Sequence, residues 1–167
     1  VSNENLNICS KCGGECCKLF PGFYYPDDFR KRNGSLDWER ILNLLTSGLA
    51  QIDRWEDTEP VYFLRPKMVM KNDSHNGIFS YPWGGDPGIH LTEYGCSLKY
   101  KQRPSQCRLL DPVKCEKGDQ QDSDLGRESA MREWKRLSNK LQDIGKEAGR
   151  RRDVTTKGHS GPQEVAL

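Results

Sequence analysis

No run of apolar residues in this sequence approaches the roughly 18 needed for a membrane-spanning helix. Apolar residues make up only 34% of the chain, and mean hydropathy is −0.86. The core is therefore expected to be modest and to need a supplement, a part that a bound metal can play. Net charge is small as well: 26 Lys and Arg against 24 Asp and Glu leave +2. That is too little to imply nucleic acid or an anionic membrane as partner. The opening residues lack the basic and apolar segments of a signal peptide, which predicts a cytoplasmic, reducing compartment. An initiator Met is missing too, which leaves a removed leader open. Internal repeats, a glycine-rich dinucleotide loop and an obvious acid–base pair are all absent. At 167 residues the chain reads as one domain over 1–152, with a disordered polar tail over 153–167 that holds His159.

Cysteine is abundant, with seven in the chain. Four fall in the stretch Cys9-Ser-Lys-Cys12-Gly-Gly-Glu-Cys16-Cys17. Their odd number, and the poor geometry of neighbours such as Cys16 and Cys17 for bonding each other, argue against a disulfide framework. Thiolates are soft, anionic ligands suited to zinc or to iron–sulfur clusters. A Cys-x-x-Cys turn points two sulfurs at one ion, and Gly13-Gly14 permits the positive φ that such a loop needs. Far along the chain, Cys96 and Cys107 supply a second pair.

The predicted site is composite: Cys9, Cys12, Cys16, Cys17, Cys96 and Cys107 around zinc or iron, with an iron–sulfur cluster possible. Six thiolates exceed one tetrahedral ion. Two metals, one metal with two spare cysteines, or a cluster with a redox-active remainder all satisfy the count. Lys11, Lys18, Arg103 and Arg108 lie close in sequence to the ligands and can offset their charge or serve as ordinary surface charge. Arg103 is expected to bond a backbone carbonyl, an acid or a substrate anion. Cys115 is either a spare ligand or a buried thiol.

The segment Gly95-Cys96-Ser97-Leu98-Lys99-Tyr100-Lys101-Gln102-Arg103-Pro104-Ser105-Gln106-Cys107-Arg108, together with the first cluster, resembles the YkgJ-like CxxCxxCC family of zinc- or iron-chelating cysteine-cluster proteins. The likeness spans about residues 9–115. Three residues separate Cys12 from Cys16 where the family pattern has two. Many relatives also carry a cysteine upstream of the position of Cys96. Gly88 stands near that place here, and the nearby His90 either offers an imidazole in its stead or is an ordinary loop histidine. The resemblance implies metal chelation. Relatives that include flagellin lysine N-methylases imply an alternative, a metal-dependent enzyme that modifies a protein side chain by methyl or electron transfer. A zinc-stabilised interaction module is a third reading, against which stands the lack of a second Cys-x-x-Cys.

The expected fold class is α+β: a small metal-stabilised domain with short strands. Pro26-Asp27-Asp28-Phe29-Arg30 opens a short helix. A longer helix, capped by Ser35, is predicted over 36–52 from Leu36, Ile41, Leu44, Leu45, Leu49 and Ile52. Strands are predicted at 61–64, 68–70 and 78–81, with a brief pairing at 90–92 and a strand or turn at 97–100. A second amphipathic helix is predicted over 124–149, its stripe being Met131, Trp134, Leu137, Leu141, Ile144 and Ala148. Gly145 and Gly149 weaken its end. Arg150, Arg151 and Arg152 beyond it complement the helix dipole rather than bind nucleic acid. His75 is expected in a surface turn, and Trp38, Trp55, Trp83 and Trp134 in the core or a pocket wall.

Overall fold

The computed structural model describes residues 13–14, 17–18, 22–55, 59–69, 78–80, 87–108 and 127–157. The chain forms helices and two small sheets, the expected α+β class. The 3-10 turn Pro26–Phe29 opens where proline and two acids predicted it. Helix α1 then runs Trp38–Thr46. Its N-cap is Asp37, whose carboxylate accepts the Arg40 N–H at 3.1 Å, in place of the expected Ser35.

The helix predicted over 36–52 is thus cut short. Gly48 adopts φ 73°, a left-handed value that ends the helix, and Ala50–Trp55 form strand β1 instead. β1 pairs antiparallel with β2, Val61–Pro66, and parallel with β3, Phe79–Ser80, on its other edge. A hairpin of β4, Leu91–Thr92, and β5, Gly95–Cys96, makes the second sheet. The strand expected at 68–70 reduces to an isolated bridge between Met68 and Gly88, with Met70 outside the described residues. Residues 97–100 form no strand; a 3-10 turn covers Tyr100–Gln102, followed by the short helix α2, Ser105–Arg108.

Helix α3, Arg127–Trp134, passes through the 3-10 turn Lys135–Leu137 into α4, Ser138–Lys157. Where a tail was expected from residue 153, α4 continues, and it passes straight through Gly145 and Gly149. The predicted stripe is correct: Trp134, Leu141 and Ala148 are buried, with Met131, Leu137 and Ile144 packed against them. α4 lies on α1, and both α3 and α4 cover β2. Polar ties hold these layers in place. Ser138 Oγ accepts the Tyr62 N–H at 2.8 Å, and the indole of Trp134 donates to the Tyr24 carbonyl at 2.8 Å. Arg150 and Arg151 both bond Glu147, and Arg152 Nε donates to the Thr46 carbonyl at 3.0 Å. The basic run thus lies inside α4 rather than beyond its end: Arg150 and Arg151 are exposed, and Arg152 ties α4 to α1.

The sheet buries charge as well as apolar surface. Asp53 accepts from Arg65 Nη1 and from Gln51 Nε2, and the Arg65 guanidinium lies over the Phe23 ring. Asp53 and Arg65 are both essentially inaccessible.

Candidate metal centre

The described part of the first motif begins with Gly13 and Gly14 at φ 60° and 72°, the conformation their sequence predicted. The Cys17 and Lys18 N–H groups both donate to the Gly14 carbonyl, at 2.8 and 3.1 Å. Cys17 is therefore fixed by one tight turn. Its own carbonyl accepts the Gly88 N–H at 3.0 Å. A Cβ placed on Gly14 would overlap Leu91 Cδ1 and would lie 3.8 Å from Gly95 Cα and 3.9 Å from Cys17 Cβ. Leu91 in turn pairs with Cys96 across the hairpin. The turn that carries Cys17 thus packs against the hairpin that carries Cys96.

Cys107 lies in α2, which bonds from Asp28 and Phe23 tie to the segment 22–28. The Asp28 carboxylate accepts the Ser105 N–H at 2.9 Å, the Ser105 hydroxyl at 2.6 Å and the Arg108 guanidinium. The Gln106 side chain accepts the Phe23 N–H at 2.8 Å, and the Tyr100 hydroxyl donates to the Arg108 carbonyl at 3.1 Å. Gly22 leaves room for the sulfur, since a Cβ there would collide with Cys107 Sγ.

Cys17, Cys96 and Cys107 are all half-buried, a setting in which thiolates can meet an ion with little competing water. Tyr24 is buried beside the last two. Its phenol is held protonated well above the usual range, first by burial, then by Cys107 and Asp28, with Arg40 opposing and Cys96 adding to the rise. As thiolates, both cysteines of the second motif therefore oppose ionisation of one buried hydroxyl.

Among the described residues, no group of three or more His, Cys, Asp and Glu is arranged to hold a metal. The donor chemistry fits a soft ion, and the missing Cβ of Gly22 gives the Cys107 sulfur its room. A complete ligand set would draw on Cys9, Cys12 and Cys16, which lie outside the described residues, as do Cys115, Lys11, His75, His159 and Trp83.

His90, half-buried, lies in the turn just before β4. Its ring donates to the Leu49 carbonyl; burial depresses its pKa, and this bond partly offsets the effect. Arg103 is buried and donates to the Leu98 carbonyl at 3.0 Å, the structural role among those expected. Arg108 is committed to Asp28, and Lys18 is exposed. Sequence reasoning missed Asp28, Gln106 and Gly22. Asp28 gave only a local signal, an acid in a first helical turn, while its partners lie 77 to 80 residues away.

The chain matches no protein-family model, no curated protein and no solved structure. No helix among the described residues is long and apolar enough to cross a membrane.

Proposed function

We propose that this chain is a metal-binding cysteine-cluster protein. Cys9, Cys12, Cys16, Cys17, Cys96 and Cys107 form one composite site for zinc or iron, with an iron–sulfur cluster as the redox-active form. The observation that carries this reading is the meeting of the Cys17 turn with the Cys96 hairpin, while α2 turns Cys107 onto Gly22. The likeness of the Gly-Cys and Arg-Pro-x-x-Cys-Arg segments to the YkgJ-like family supports it. When bound, the ion supplies a covalent-strength link between two segments far apart in sequence. The protein's own residues do the positioning. Gly14 and Gly88 set the Cys17 backbone, the β4–β5 pairing sets Cys96, and Asp28 with Gln106 sets α2. A reducing compartment such as the cytoplasm keeps the thiolates available.

Elemental analysis and an absorption spectrum of protein purified without oxygen test the reading. A colourless protein with stoichiometric zinc, or a brown one with a broad band near roughly 400 nm from thiolate–iron transitions, supports it. A protein free of both metals contradicts it.

A further inference from the structure

The Asp28 carboxylate accepts three long-range bonds from the second cysteine segment. Its Oδ1 accepts from the Ser105 hydroxyl and from Arg108 Nη2, and its Oδ2 accepts from the Ser105 N–H and, locally, the Tyr25 N–H at 2.9 Å. The side chain of Asp28 is only 5% exposed. Ser105 and Arg108 are the first and last residues of α2, and Cys107 stands between them. Ser105 Oγ also accepts from Arg108 Nη2, at 2.7 Å, so the three side chains close a ring.

A single helical turn has too few internal bonds to persist by itself. One buried carboxylate therefore does for α2 what an N-cap and a C-terminal ion pair do separately in longer helices. The 3-10 turn that carries Asp28 is in turn anchored: the Arg40 guanidinium donates to the Asp28 carbonyl at 3.0 Å and lies over the Phe29 ring. The chain is thus continuous from the α1 core through Asp28 to the Cys107 sulfur.

We infer that Asp28 is a positioning residue for Cys107, acting through Ser105 and Arg108 to hold that thiol in place before any ligand arrives. The inference rests on the metal-binding reading for its consequence, not for its geometry. Removing the carboxylate takes three bonds from α2 and loosens Cys107 against Gly22 even with the Gln106–Phe23 and Tyr100–Arg108 bonds still in place, while Cys96, held by the β4–β5 hairpin, stays where it is.

The test is alkylation of metal-free protein by iodoacetamide, with the rate at each cysteine read by peptide mass spectrometry. In Asp28→Ala, Cys107 reacts about tenfold faster than in the wild type, as loss of several charge-assisted bonds implies, while Cys96 changes by less than about twofold. Asp28→Asn, which keeps the shape and one acceptor oxygen, restores part of the Cys107 protection. Metal content, measured in parallel, falls in Asp28→Ala, with affinity reduced about 10- to 100-fold. Equal acceleration at Cys96 and Cys107, or no acceleration at Cys107 in either variant, overturns the inference. A wild-type protein that binds no metal overturns the functional reading alone, because the alkylation comparison needs no metal.

Discussion

Gly22 and Cys107 occupy a single packed space: the absent Cβ of one is what makes room for the sulfur of the other. The contact joins residues from opposite ends of the sequence likeness and places the second cysteine pair against the segment that leads to Asp28. Gly22→Ala forces the sulfur or the backbone to move. The expected cost is about 1–3 kcal/mol, the range for overpacking a filled site. Denaturant melts of the metal-free protein check it, and an unchanged midpoint would show that α2 yields freely.

The Asp53–Arg65 pair lies under Phe23 with both side chains inaccessible. Removing one partner leaves a buried charge. Asp53→Ala or Arg65→Ala is therefore expected to destabilise by about 3–5 kcal/mol, whereas the double variant Asp53→Leu with Arg65→Met recovers much of the loss. Equilibrium unfolding of the wild type and these three variants measures the losses and the recovery.

Gly149 sits inside α4, where a Cβ would meet only Ile78 Cδ1 at 3.9 Å, an ordinary contact. Gly149→Ala is expected to stabilise the protein by about 0.5–1 kcal/mol, because alanine gives up less backbone freedom in a helix. Thermal melts of the two proteins decide the point.

Half-buried His90 has a folded-state pKa below the ordinary histidine value of 6.5. The unfolded chain therefore binds the proton more readily than the folded one, and stability falls as pH drops below about 6.5 until the folded-state pKa is reached. His90→Asn should flatten the fall in denaturation midpoint between about pH 7 and pH 5. An identical slope in the variant would mean that other groups carry the acid sensitivity.

Much of the architecture was legible in the sequence. The stripe from Met131 to Ala148, the short opening at Pro26 and the Gly13-Gly14 turn all follow from local spacing and glycine chemistry. The end of α1 was not legible, because Leu49 and Ile52 continue the spacing of Leu45 as if the helix went on. Gly48 ends it, and a Cβ there would also lie 2.6 Å from Arg152 Nη2, a contact made by the far end of the chain. The same limit hid Asp28. Its local context suggested a dipole-compensating acid, while its function depends on Ser105 and Arg108. His90 bonds the Leu49 carbonyl, a partner far away in sequence that nearness to Cys96 does not reveal.

The central claim, that two cysteine segments build one site, is tested most directly by metal analysis of three proteins purified without oxygen: wild type, Cys17→Ser and Cys107→Ser. The account predicts zinc or iron in the wild type and a substantial loss of the same metal from both variants, since each removes a ligand from one shared site. Full metal content in either variant, or no metal in the wild type, would contradict it.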